Sequence, residues 1–170
     1  MYRAIHVFMG FTVGLLVGGG SEFDIFYGLM GALGGYIPDL DLRIKHRKLL
    51  HNLIVPLILV SILYLATSLA IGIQWIVQVM LRGYLALVLG WILHVASDAF
   101  TKRGVYPLWP LNKEFKVALT PLKSTSIVGN FIAVLLSALA FYYWLDSTGI
   151  SKWVVWFLEA VAELLGFSPA

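Results

Sequence analysis

An uncharged apolar run of 21 residues, from Leu53 to Ile73, constrains the fold of this chain more than any other feature. A run of about 20 apolar residues is long enough to cross the hydrocarbon core of a bilayer as a helix. Because the bilayer offers no water to the backbone, a lipid-exposed segment of this kind has to satisfy its own N–H and C=O groups. The run therefore predicts a transmembrane helix, with Pro56 near its start.

The remaining composition extends this prediction to the whole chain. Hydrophobic residues make up 60% of the sequence and charged residues only 12%, whereas about 25% of the residues of a soluble domain are charged. We therefore expect an all-α, polytopic membrane bundle of about five or six helices that forms a single integral membrane domain over residues 1–170. The motif-bearing part is expected to cover residues 1–123, and the C-terminal helices residues 126–170.

Glycines mark the first two apolar segments, Ile5–Gly20 and Ile25–Ile37. Small residues recur every four positions in the first segment and every three in the second, and such spacing lets membrane helices approach closely. The two segments are thus predicted to form a short, tight hairpin that ends at Pro38, whose ring disfavours α conformation at Ile37. The later predicted segments are Gln74–Arg82 at the interface, Gly83–Phe100, a polar loop Thr101–Ser126, Ile127–Leu145 and Lys152–Leu165.

The basic residues predict the topology, since short cytoplasmic loops collect Lys and Arg. If the chain crosses the membrane at each apolar run, ten of the twelve basic residues fall on one side. This predicts a multi-pass protein of the inner or plasma membrane with a cytoplasmic N-terminus. All four histidines fall on that same side, although histidine did not enter the count. The ten basic residues are Arg3, Arg43, Lys45, Arg47, Lys48, Lys102, Arg103, Lys113, Lys116 and Lys123.

Metal-competent side chains gather in two stretches. Gly35–Asn52 holds two aspartates and two histidines, and His94 and Asp98 lie one helical turn apart on one face of a predicted helix. An acidic residue inside an apolar segment is costly in a membrane and indicates function by default. Asp39 and Asp41 alternate in a segment that we expect to be extended, which would put both carboxylates on one side.

Cysteine is absent, so any metal has to be bound by histidines and carboxylates. The sequence predicts one or two divalent ions, zinc first, with manganese and iron as alternatives. Taken alone, His94 is interpreted most simply as a polar residue at a helix end. The Arg43–Lys48 cluster is interpreted most simply as a topology signal. The candidate ligands are His6, Asp39, Asp41, His46, His51, His94 and Asp98.

Three stretches also carry a family resemblance: Gly35–Asp41 (GYIPDLD), His46–His51 (HRKLLH) and His94–Pro110 (HVASDAFTKRGVYPLWP). Together with His6 they resemble, in this order, the YdjM-like or LexA-binding family of inner-membrane metal-dependent hydrolases. The resemblance runs from residue 6 to about residue 110 and implies that the candidate ligands are the family's polar positions. Leu50 and Asn52 depart from it, because the family has Thr and Ser there, and the spacer between Asp41 and His46 is short. A regulatory link to LexA belongs to the resemblance alone.

The first functional hypothesis is a membrane-embedded metal-dependent hydrolase whose His/Asp site lies at the cytoplasmic face. A bound ion lowers the pKa of water to about 7, and Asp41 would act as the general base. A phosphoester, including a lipid phosphoester, is the favoured substrate class, and Arg47, Lys48, Lys102 and Arg103 would hold its anionic group. Membrane lipid is the expected partner and nucleic acid is not. The alternative is a non-enzymatic membrane protein with a structural or transport-related metal site.

Overall fold

The computed structural model describes residues 1–43 and 49–164, without the side chains of residues 41–43, 160, 163 and 164. This part of the chain is all-helical, with one isolated β-bridge between Val105 and Val117. The expected all-α bundle is confirmed. The helices are α1 (Arg3–Gly18), α2 (Asp24–Tyr36), a 3-10 segment (Ile37–Arg43), α3 (Ile54–Ala70), α4 (Gln74–Ala99), α5 (Ile127–Ser147) and α6 (Ile150–Leu164).

Helices α1, α2 and α4 meet at three glycines. Gly31 of α2 lies against the backbone of Gly10 in α1 and of Gly90 in α4, and a Cβ on any of the three would overlap backbone atoms of a neighbouring helix. The predicted glycine-rich hairpin is present, and the glycines also bring a third helix into it. Because side chains are absent at this crossing, the three helix backbones are in direct contact. That contact fixes how the ends of the helices are placed.

Helix α4 is one continuous helix of 26 residues. The sequence predicted an interfacial segment up to Arg82 and a separate helix from Gly83, and that division is wrong. A glycine inside a helix costs about 1 kcal/mol, which is small for a helix packed along α2 and α1. At Gly83 the ring of Phe26 from α2 occupies the space that a side chain would need.

The conformation expected after α2 is also wrong. Ile37 is in the right-handed helical region, and Ile37–Arg43 forms a 3-10 helix rather than an extended segment. Proline is accepted in the first turn of a helix because the N–H groups there have no helical partner. Since a 3-10 helix has three residues per turn, residues two apart do not share a face. The prediction that the carboxylates of Asp39 and Asp41 lie on the same side of this segment therefore loses its basis.

Helices α4 and α5 are long and apolar enough to cross a membrane, and α1 and α3 are shorter apolar helices. The N–H of Tyr2 donates to Asn130 Oδ1 at 3.1 Å, which ties the start of α1 to the start of α5. The indole of Trp91 donates to the Leu50 carbonyl at 2.8 Å, close to the start of α3. The starts of α1, α3 and α5 thus meet the end of α4 at one end of the bundle, hereafter the site end. That this end faces the cytoplasm stays a prediction.

Candidate metal centre

Five predicted ligands converge at the site end. His6 comes from α1, Asp39 from the 3-10 segment, His51 from the turn before α3, and His94 and Asp98 from the last turns of α4. All five side chains are buried, none more than 6% exposed. Two triads, His6/Asp39/His94 and His51/His94/Asp98, each have their ligand atoms within 4.8 Å of one another. The two stretches separated in the sequence therefore meet in one cluster.

Four predicted site residues cannot be placed in this cluster. His46, Arg47 and Lys48 lie outside the described residues, and so does the side chain of Asp41. Their predicted roles as ligands, general base and anion-binding groups stay predictions.

The spacing of neighbouring ligand atoms in the cluster suits metal coordination. Two nitrogens or oxygens on a tetrahedral zinc, each about 2.0–2.1 Å from it, lie about 3.3–3.4 Å apart. The shortest observed separations match this value, and the others exceed it by only a few tenths of an ångström. They are His94 Nε2 to His51 Nε2 at 3.3 Å, His6 Nε2 to Asp98 Oδ1 at 3.4 Å, His51 Nε2 to Asp98 Oδ2 at 3.7 Å, His94 Nε2 to Asp39 Oδ1 at 3.8 Å and His94 Nε2 to Asp98 Oδ2 at 3.9 Å.

His94 is oriented for metal binding by the backbone of α2. Its Nδ1 lies 2.7 Å from the carbonyl oxygen of Gly35. A carbonyl only accepts hydrogen bonds, so Nδ1 carries the proton and Nε2 of the neutral ring keeps its lone pair. Metal-binding histidines commonly donate their second ring N–H to a carbonyl or carboxylate in this way. The two triads share His94 Nε2, and one ring nitrogen binds one ion. His94 can therefore coordinate a metal ion in only one of the two triads.

The contacts of Ser97 favour the same tautomer for His6. The Ser97 hydroxyl lies 2.9 Å from the His94 carbonyl, to which it donates, and 3.1 Å from His6 Nδ1. A hydroxyl has one proton, so Ser97 accepts its second hydrogen bond from His6 Nδ1–H. His6 Nε2 is then left as a lone pair, directed at Asp98. Sequence reasoning missed Ser97, although its place three residues after His94 puts it on an adjoining face of α4.

Ser97→Ala is expected to weaken zinc binding about 10- to 100-fold, because it removes the group that fixes the ring of His6. The measurement is a competition titration against a zinc chelator at neutral pH. Ser137→Ala is the matched control, since Ser137 is a buried helix serine whose hydroxyl donates to the Ala133 carbonyl at 2.8 Å. Equal zinc affinities for the two variants would show that Ser97 does not orient a ligand.

Two cationic groups already lie against the carboxylates of the cluster. The Met1 amino nitrogen is 2.9 Å from Asp98 Oδ1, and Arg3 Nε is 3.6 Å from Asp39 Oδ2. In the sequence, Arg3 served only as a topology signal. Its guanidinium now adds a positive charge at the edge of the site, because its side chain is 52% exposed while that of Asp39 is buried.

Hydrogen bonds fix the turn that carries His51, although Leu50 and Asn52 differ from the residues that the family has at these positions. Asn52 Oδ1 accepts hydrogen bonds from the first two N–H groups of α3, at 3.0 and 2.9 Å. Asparagine and serine cap the N-terminus of a helix about equally well, because each has a side-chain oxygen that accepts a hydrogen bond from a free backbone N–H. The Leu50 carbonyl accepts from the Trp91 indole, so this position contributes through its backbone. The hydrogen bonds that hold this turn are therefore in place.

Basic side chains surround a separate cavity of about 620 Å³ formed by the loop between α4 and α5. Lys102 and Arg103, both predicted to bind substrate, line it together with Lys116 and Lys123. Backbone hydrogen bonds pin the loop, since the N–H of Lys102 donates to the Leu122 carbonyl at 2.7 Å. Among the described residues that line the cavity, none is acidic.

The donor set fits a divalent ion of zinc or manganese type. Imidazole nitrogens of His6 and His94 and the two buried carboxylates face one another, and His51 completes the set. Nitrogen and oxygen donors in this mixture suit zinc, iron and manganese. The identity of the metal stays a prediction.

Comparison with known proteins agrees with the membrane fold. No curated protein and no solved structure matches the chain. A family model described as YdjM inner membrane protein matches residues 1–168. This match extends beyond residues 6–110, where the recognisable motifs lie, and includes the C-terminal helices. The chain therefore belongs to the YdjM inner membrane protein family.

Proposed function

We propose that this protein is a membrane-embedded metal-dependent hydrolase that acts on phosphoesters at the cytoplasmic face. The observation that supports the proposal is the convergence of His6, Asp39, His51, His94 and Asp98. The Nδ1 atoms of His94 and His6 are hydrogen-bonded to the Gly35 carbonyl and the Ser97 hydroxyl, which leaves Nε2 of each ring facing the cluster. Burying several ionisable groups in an apolar bundle is costly unless they bind or react with something. A divalent ion is the ligand that this donor set fits.

The chain's own residues divide into three roles in this proposal. The five converging side chains would supply the ligands of the ion, and the ion would act as a Lewis acid able to activate water at neutral pH. Ser97 and the Gly35 carbonyl keep the histidine rings in place. Asp41 is the proposed general base, and Lys102 and Arg103, with Arg47 and Lys48, hold the anionic group of the substrate by charge-assisted hydrogen bonds.

A structural metal site is the second candidate, and the burial of the cluster favours it. Asp98, His51, His94 and His6 are each at most 1% exposed, and Asp39 is 6% exposed. Structural zinc sites are closed by four protein ligands, whereas catalytic sites keep one position open. Under this alternative the ion would bind α1, the 3-10 segment, α4 and the turn before α3 to one another without reacting.

The test measures the metal content and the phosphoester hydrolysis of the same protein preparation. Full-length protein purified in detergent without chelator is analysed by elemental mass spectrometry and then assayed with chromogenic phosphomonoesters and phosphodiesters. We expect one or two equivalents of a transition metal, and phosphoester hydrolysis that is lost after chelation and restored by zinc or manganese. Asp39→Asn should lower both readings.

Asp146→Asn is the matched control, because Asp146 is an exposed aspartate of α5 near the opposite end from the site. It should keep the metal and the activity. Protein with no metal, before and after reloading, would rule out the hydrolase. Full metal occupancy with no hydrolysis of any phosphoester would leave the structural site instead.

A further inference from the structure

An apolar cleft adjoins the metal cluster. It has a volume of about 370 Å³ and lies where α1 packs against both α4 and α5. Hydrophobic side chains form most of its wall, including Met9, Leu93, Ile132 and Leu136.

Ser97 links the cleft to the metal cluster, because it lines the cleft and is hydrogen-bonded to His6. Thr101 also lines the cleft, and its hydroxyl donates to the Asp98 carbonyl at 2.8 Å. Along α5, the lining runs from Asn130 to Leu136, which spans about 9 Å at 1.5 Å per residue. Part of an extended acyl chain fits along an apolar space of this length.

Lys123 connects the cleft with the basic cavity, because it lines both. The basic cavity adds Lys102, Arg103 and Lys116 within the same loop. Four cations beside an apolar cleft form an amphipathic site whose charge complements an anion. Basic pockets at membrane depth bind anionic lipid headgroups, and Lys and Arg hold phosphate by charge-assisted hydrogen bonds.

We infer that the cleft and the basic cavity together bind one phospholipid with an anionic phosphate headgroup, with an acyl chain between α1, α4 and α5 and the phosphate near Lys123. The lipid would then lie in the cleft that Ser97 lines, and Ser97 is hydrogen-bonded to the ligand His6. This assignment names the substrate class of the proposed hydrolase and rests on that function only for the claim that the bound lipid is hydrolysed. The binding site itself rests on the two cavities.

The experiment measures binding without turnover. Full-length protein as purified is titrated with the dioleoyl phosphonate analogue of phosphatidic acid, which has no phosphoester bond, and with dioleoyl phosphatidylcholine. Native mass spectrometry gives the two dissociation constants. We expect the phosphonate to bind at least about fivefold more tightly than phosphatidylcholine, and an equal concentration of inorganic phosphate not to displace it.

Two pairs of variants locate the lipid. Gly129→Phe should fill part of the cleft, because Gly129 lines it and a Cβ there meets no atom closer than 3.9 Å. It should weaken phosphonate binding about tenfold by excluding the acyl chain. Val128→Phe, at an exposed neighbouring position of α5, is its control. Lys123→Gln should weaken phosphonate binding about fivefold and leave phosphatidylcholine unchanged, whereas Lys113→Gln, in the same loop but outside both cavities, should change neither.

Three outcomes would overturn the inference. They are equal binding by Gly129→Phe and Val128→Phe, equal affinity for the two lipids in the unsubstituted protein, and displacement of the phosphonate by inorganic phosphate. The inference and the proposed hydrolase can fail separately. Lipid binding in a protein that holds no metal would reject only the hydrolase, and hydrolysis of soluble phosphoesters without lipid binding would reject only the lipid site.

Discussion

Asp98→Asn is expected to lower the zinc affinity of the purified protein by more than about 100-fold. Loss of a group that only hydrogen-bonds to a metal ligand already lowers metal affinity about 10- to 100-fold, and Asp98 is assigned as a ligand itself. His6 and His51 approach its two carboxylate oxygens within 3.4 and 3.7 Å, so this side chain connects histidines from two different segments. Asparagine keeps the shape of the side chain and removes its charge. Chelator competition at neutral pH measures the affinity, and elemental mass spectrometry measures what survives purification.

The control for this variant is again Asp146→Asn, with the same loss of one carboxylate at an exposed position of α5. Both variants should have thermal unfolding midpoints within a few degrees of each other in the presence of excess chelator. Unchanged zinc affinity of Asp98→Asn, in protein that unfolds normally, would contradict the assignment of Asp98 as a ligand.

Gly31→Ala is expected to destabilise the protein by about 2–3 kcal/mol, the upper part of the usual range for overpacking. A Cβ on Gly31 would overlap the carbonyl of Gly10, and no change of rotamer can relieve contact with backbone. Helices α1 and α2 then have to separate where α4 also packs against them. The gain of about 1 kcal/mol in helix propensity from Gly to Ala offsets part of this cost.

Thermal unfolding in detergent, followed by circular dichroism, measures this effect. Gly72→Ala is the matched control, since a Cβ on Gly72 would meet no atom within 4 Å and its backbone angle does not require glycine. A midpoint for Gly31→Ala equal to that of Gly72→Ala would mean that the three helices do not depend on close approach at this crossing.

The helices and the cluster were predictable because each follows from a local pattern. Long uncharged runs predicted α3 and α5, and the glycine spacing predicted the hairpin of α1 and α2. His94 and Asp98, four residues apart on a helix, were predicted to share a face, and both lie in the cluster. The charge count placed all four histidines on one membrane side, and the three that the structure describes do meet at the site end.

The errors and omissions concern interactions that depend on packing. A proline after α2 suggested an extended segment, but the chain continues as a 3-10 helix through Asp39. Gly83 suggested a boundary, but the ring of Phe26 fills its space and α4 continues. Ser97 carries no motif of its own, and its contact with His6 joins residues 91 positions apart. Contacts of that kind are fixed by the docking of helices, which local patterns do not specify.

That separation of 91 positions also bears on biogenesis. During synthesis and insertion, His6 enters the membrane region early, while its partners Ser97 and Asp98 follow only after α2, α3 and nearly all of α4. Bringing such distant segments together costs loop-closure entropy, and an ion that binds only the closed arrangement stabilises it. Metal capture is therefore expected to follow the docking of α1 against α4, so that an occupied site would mark a chain whose first four helices have been assembled.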